Sequence, residues 1–265
     1  MNINFLKKEE YIEKEAIIGE APDYNVYHET KKERLTWFII GMIVGGVVLY
    51  VFYESIIVSI LMGVVCGFAF IPIRRIMVIN KRKQKLNLQF RGLLEVLSTS
   101  IGAGKNMYDS FSDASAELAV QFSDDADIVN ETKLISIGLD NNIQIENLLL
   151  NFAERSGLED VRNFANVFAT CYKKGGNIKD VVKNTASIIG DKIEIQMELE
   201  TMVAGQKNEQ NIMLVMPVIF IILMKSMGGD LIDLKSPTGI LSVSIALVIF
   251  VAAYFISKKI LNIKL

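Results

Sequence analysis

Histidine is almost absent from this chain: there is one, His28, in 265 residues. Acid–base, nucleophilic and zinc chemistry draw on that side chain repeatedly. His28 lies in a polar N-terminal tail, where an exposed imidazole is a plainer reading than a base or a metal ligand. Cysteine is nearly as scarce, with two residues. Cys66 falls inside an apolar run and Cys171 in an expected soluble helix, so neither a disulfide nor zinc-ligand spacing is legible. No segment alternates apolar and polar residues between turn signals as a half-buried strand does. The net charge of −2 points to no nucleic-acid partner. Residues 1–34 are too polar to supply the apolar core of a signal peptide, so none is expected ahead of the first apolar run.

Apolar residues make up 51% of the chain, and they are concentrated in four runs near 35–53, 55–73, 212–228 and 239–257. A membrane-spanning helix needs about 20 predominantly apolar residues. The expected class is all-α, with four transmembrane helices plus one cytosolic antiparallel helical bundle. The expected organisation is a cytosolic tail at 1–34, a transmembrane hairpin at 35–73, the bundle at 74–211, a second hairpin at 212–257 and a cytosolic tail at 258–265.

In the tail, Phe5, Leu6, Ile12, Ala16 and Ile17 line one side of a short amphipathic helix that Pro22 would end. The expectation is a loosely ordered segment resting at the membrane surface, with partner binding as the alternative. Trp37, Tyr50 and Tyr53 stand near the ends of the first span, where amphipathic aromatics collect. Glu54 and Ser55 make a tight turn. Gly41 and Gly45 in the first span, and Gly63 and Gly67 in the second, have the one-turn spacing that lets helix backbones approach closely. Pro72 is expected to close the second span.

Arg74, Arg75, Lys81, Arg82, Lys83 and Lys85 follow without an acid among them. Nucleic-acid binding would call for interleaved aromatics, which are missing. Anionic lipid headgroups and the preference for cytoplasmic positive charge remain, and the second is the plainer cause. Lys258, Lys259 and Lys264 after the last span ask for the same compartment. Four crossings then leave both termini and the bundle in the cytoplasm.

Between the hairpins the apolar periodicity is helical throughout. Leu86, Phe90, Leu93, Leu94, Leu97 and Ile101 make one stripe, ended at Gly102 and Gly104. Asn106 is placed to cap the next helix. A following helix directs Val129, Leu134 and Ile137 inward, with Ile135 a further candidate. Two more helices divide at Ser156-Gly157. The turn Lys173, Lys174, Gly175, Gly176, Asn177 precedes a long helix whose apolar face carries Ile178, Val181, Val182, Thr185, Ile188, Ile189, Ile193 and Met197. Short loops between five or six helices fit an antiparallel bundle. The helix is expected to run on toward the third span, with a hinge at Pro217. Lys225 would snorkel to the interface, and Gly228-Gly229 would begin the last loop.

Chemistry is hard to find. The stretch SIGAGKN at 100–106 has the outline of a phosphate-binding loop, but Thr99 stands where a glycine is needed and Asn106 follows Lys105 where Ser or Thr is needed. The pairs Asp124-Asp125 and Glu159-Asp160, and the set Glu194, Glu198, Glu200, read as charged surface. No nucleophile–base pair is legible, so no catalytic, cofactor-binding or metal residue is assigned. Within the spans only Glu54 and Lys225 are ionisable, which argues against a transporter's polar pathway.

The order of two spans, a basic stretch, a helical bundle and two more spans resembles the inner-membrane platform proteins of type II secretion and Tad-type pilus assembly, the type II secretion F and TadB-TadC family. LLEVLSTSIGAGKNMYDSF (Leu93–Phe111) is similar to that family's first helical pair. AERSGLEDVRNFANVFATCYKKGGNIKDVVKNTASII (Ala153–Ile189) is similar to its second pair with the Gly-Gly turn. Gly205 and Pro217 stand where that family bends into its third span. A single bundle favours the Tad-like branch or a relative in archaeal-type filament systems. The resemblance implies a non-enzymatic platform beneath a growing filament. Its expected partners are a hexameric secretion ATPase, pilin or pseudopilin subunits, and a second platform subunit or another copy of itself. It further implies motor-contact loops at Gly102–Asn106 and Lys173–Asn177. A membrane-anchored signalling or adaptor protein is the competing expectation.

Overall fold

The computed structural model describes residues 13–226 and 236–261. Among them the regular structure is helical: α1 (Lys31–Tyr53), α2 (Ile56–Gly102), α3 (Met107–Phe122), α4 (Asp127–Asp140), α5 (Ile145–Ser156), α6 (Glu159–Lys173), α7 (Ile178–Met202), α8 (Ala204–Ser226) and α9 (Pro237–Leu261). Phe5, Leu6 and Ile12, the loop at Gly228-Gly229, and Lys264 lie outside the described residues. So do the side chains of Lys225, Lys258 and Lys259.

The chain divides into two compact units. One comprises residues 1–28 and 77–193, the other 29–76 and 194–265. The division falls inside α2 and inside α7.

The second unit gathers the apolar helices. α1, α2 and the stretch Ala204–Met224 of α8 are long and apolar enough to cross a membrane, and α9 carries a shorter apolar stretch, Thr238–Tyr254. Their large side chains face outward, as with Ile57 at 79% exposure, Leu61 at 65% and Met213 at 71%. So continuous an apolar exterior calls for an apolar solvent. This is a membrane protein by that criterion. Between α1 and α2 the approach is close. A Cβ on Gly67 would lie 2.9 Å from the Phe38 carbonyl, and one on Gly63 would lie 3.1 Å from that of Met42. The turn is made at Glu54, in the left-handed region at φ 51°, with its N–H donating to the Tyr50 carbonyl. Tyr53 and Ser244 share a 2.9 Å hydroxyl hydrogen bond that ties α1 to α9.

The other unit is a helical bundle built on α2. Leu86, Phe90, Leu93, Leu94 and Leu97 of α2 are buried among Phe111 and Leu118 of α3, Ile128 of α4, Leu149 and Phe152 of α5, Phe164 and Phe168 of α6, and Val182 and Ile189 of α7. An aromatic ladder runs through the centre. Phe90 lies 6.1 Å from Phe152 and 5.6 Å from Phe164, which meets Phe168 at 5.6 Å. Edge and tilted geometries of this kind add to the area term.

Five expectations differ from the structure. Pro72 does not end a helix: it lies inside α2, which is 47 residues long. A proline removes one ladder hydrogen bond, and the helix resumes because the stripe from Leu86 to Leu97 is fully anchored in the bundle. In α4, Val129 and Ile135 are buried as expected, but Ile137 is 46% exposed, and Glu131 and Thr132 are the further residues turned inward. In α7, Ile188 and Met197 are exposed at 65% and 63%. α7 does not run on into the third apolar helix but stops at Met202, with Val203 between it and α8, and Pro217 lies within α8.

The largest difference is the tail. Residues 13–28 form no helix and lie against the bundle, with Tyr24 only 1% exposed. Its hydroxyl donates to Glu131 at 2.9 Å. Its backbone N–H donates to the Arg155 carbonyl at 3.0 Å. Tyr24 and the polar groove around it hold residues 13–28 on the bundle, where a loosely ordered segment was expected.

Candidate partner-docking site

The two turns expected to meet a motor are neighbours. A Cβ on Gly102 would lie 3.4 Å from Cε of Lys179, so the α2–α3 turn abuts the first turn of α7. Ile101, Met107 and Ile178 beneath them pack against the core. Above that floor, residues 102–106 and 172–177 are exposed.

Each turn is built by its sequence. Gly104, at φ 87°, and Gly175, at φ 68°, take left-handed backbone that a β-carbon disfavours. Asn106 caps α3 by accepting the Asp109 N–H at 2.8 Å. Asn177 accepts the Asp180 N–H at 3.4 Å and donates through Nδ2 to the Asp180 carboxylate at 2.6 Å. A Cβ on Gly176 would collide with Cys171 Sγ. Lys105 Nζ is engaged by Asp113, whose hydrogen bond and charge raise the lysine above its ordinary pKa. Lys173, Lys174 and Lys179 remain exposed, giving the pair of turns a cationic character.

The basic stretch does not act as one patch. Arg74 lies over the Trp37 ring at 4.3 Å. Arg82 donates to the Asp127 carboxylate at 2.8 Å and covers the Tyr24 ring at 4.6 Å. Its hydrogen bond to Asp127 raises its pKa. Lys83 donates to Asn25 Oδ1 at 2.6 Å, and burial lowers its pKa. Arg75, Lys81 and Lys85 are exposed. Of the span glycines, Gly41 faces Gly67 with a Cβ contact at 3.1 Å, Gly45 abuts Cys66 at 2.6 Å, and Gly63 meets Gly46 at 3.3 Å. Pro217 makes no part of either turn.

Sequence reasoning missed the groove under Tyr24. There Arg155 grips Glu131 with two hydrogen bonds at 2.7 and 2.6 Å, both side chains being 3% exposed or less. Buried charges need this degree of pairing. The available signal was a Glu and an Arg at positions that helical periodicity assigns to the interior. Among the described residues, no three His, Cys, Asp or Glu side chains converge as a metal site.

Neither a protein-family model, nor a curated protein, nor a solved structure matches this chain.

Proposed function

We propose that this chain is a multi-pass platform protein of the cytoplasmic membrane. In this reading it couples a hexameric secretion ATPase to pilin extraction in a type II secretion or Tad-type assembly machine. The four apolar helices cross the membrane, and both termini and the bundle lie in the cytoplasm. The protein performs no catalysis and needs no cofactor. It works beside a second copy or a second platform subunit.

The observation that supports this best is the course of α2. One helix of 47 residues carries both a membrane-length apolar segment and the central stripe of the bundle. It ends at Gly102, in the paired turns. A helix is an axially stiff element, because every residue is tied to the fourth one before it. A push on the turn is therefore felt along α2. Three exposed lysines beside that turn suit an acidic face on the motor, with an affinity that falls as salt rises.

The test is a pull-down of the detergent-solubilised chain against the secretion ATPase of the same organism. The comparison protein carries Lys173→Glu, Lys174→Glu and Lys179→Glu. Capture that is lost in the comparison protein, and weakened by salt in the original, supports the reading. A well-folded chain that captures no ATPase, alone or with a second platform subunit, favours the adaptor alternative. Replacing Gly175 and Gly176 by valine is expected to reduce filament assembly at unchanged abundance. Normal assembly would remove that turn from the docking surface.

A further inference from the structure

The chain passes between its two units at three places: after His28, after Ile76 and after Ile193. The last two lie inside α2 and α7, so helical hydrogen bonds carry them. The first has no such support. Residues 13–28 reach it in irregular conformation, two residues before α1 begins. What holds this segment on the bundle is a set of side-chain and backbone contacts centred on Tyr24.

Those contacts draw three helices together. Arg82 of α2 stacks on the Tyr24 ring, Glu131 of α4 accepts its hydroxyl, and the Arg155 carbonyl of α5 accepts its N–H. Asn25 Nδ2 donates to the same carbonyl at 3.0 Å. Further out, the Glu15 carbonyl accepts from Asn151 at 2.9 Å, and Lys14 pairs with Glu154 at 3.0 Å. The apolar share is small: Tyr24 is buried, but Ile17 is 47% exposed. Seating also half-buries Lys83, which donates to the Asn25 amide oxygen while the Asp23 carboxylate of the same segment supports its charge. Desolvation opposes its charge there. Few apolar contacts, exposed outer pairs and a desolvated cation mark a segment that opens locally, below the free energy of global unfolding.

We propose that residues 13–28 are a releasable strap, seated by Tyr24 in the seam of α2, α4 and α5. Seated, it clamps α4 and α5 to α2 through the Tyr24 ring, its hydroxyl and its N–H. Released, it uncovers the Glu131–Arg155 pair in that seam.

The test uses the full chain in detergent and reads hydrogen–deuterium exchange. In the unaltered protein, amides of 13–28 are expected to exchange well before those of 86–97. Tyr24→Ala should speed exchange of 13–28 by about tenfold or more while leaving 86–97 unchanged. If 13–28 exchanges only together with the core in the unaltered protein, the strap does not release and the proposal fails. Asn25→Ala, a milder change, replaces Tyr24→Ala should that variant not fold.

Discussion

Glu131 stands at a helix position that apolar residues usually take, and its surroundings explain why it is tolerated. Arg155 supplies two hydrogen bonds and Tyr24 a third. Removing one member of such a buried pair strands the other, at a cost of about 3–5 kcal/mol. Glu131→Ala is therefore expected to lower the melting temperature of the solubilised chain far more than Glu95→Ala, whose i,i+4 pair with Arg91 is half-exposed. Equal losses would mean that the buried pair is not a keystone. Tyr24 gives a second prediction. Burial first, then the charges of Glu131 and Asp127, raise its pKa well above the phenol value of 10.0, with Arg82 opposing. A raised folded-state value means that the stabilisation is complete below the unfolded-state pKa and declines above it. Stability should fall more steeply above about pH 10 for the unaltered chain than for Tyr24→Phe. Parallel pH profiles for the two would contradict this environment for the hydroxyl. Helical spacing could have placed Glu131 inside, but its pairing with Tyr24 was not legible, because the two stand 107 positions apart.

At the scale of elements, the helices of the bundle were legible because their caps and stripes were local. Asn106 before α3 and Gly157 after α5 act within one turn of chain. What was not legible depended on tertiary packing. Pro72 reads as a stop, yet the anchored stripe beyond it keeps α2 helical. Ile137 reads as core, yet it is exposed while Glu131 and Thr132 are turned inward. The α1–α2 pairing gives a prediction that separates glycines by surroundings. Gly67→Ala would press a methyl against backbone, the Phe38 carbonyl at 2.9 Å, whereas a Cβ on Gly46 finds only the Ser59 carbonyl at 3.7 Å. Overpacking costs about 1–3 kcal/mol. Thermal melting in detergent should rank Gly67→Ala clearly below Gly46→Ala, which should match the unaltered chain. The reverse ranking would mean that this hairpin does not pack as described.

For the whole molecule, apolar run lengths disclosed a membrane protein, and helical periodicity disclosed a helical unit with its own core. The adjacency of the two turns was not available from the chain order, since seventy residues separate Gly102 from the α6–α7 turn. It arises because α2 and α7 bury their apolar faces in one core, which brings the C-terminus of the first beside the N-terminus of the second. The platform reading depends on that paired surface meeting a motor. A photo-activated cross-linking residue at position 104 or 174, in membranes of the native organism, tests this most directly. Val120, 90% exposed near the far end of α3, serves as the comparison position, about 20 Å along that helix. A cross-link to the secretion ATPase is expected from 104 and 174 and none from 120. A probe at 104 and 174 that never reaches the ATPase, in cells where the filament still assembles, would contradict it.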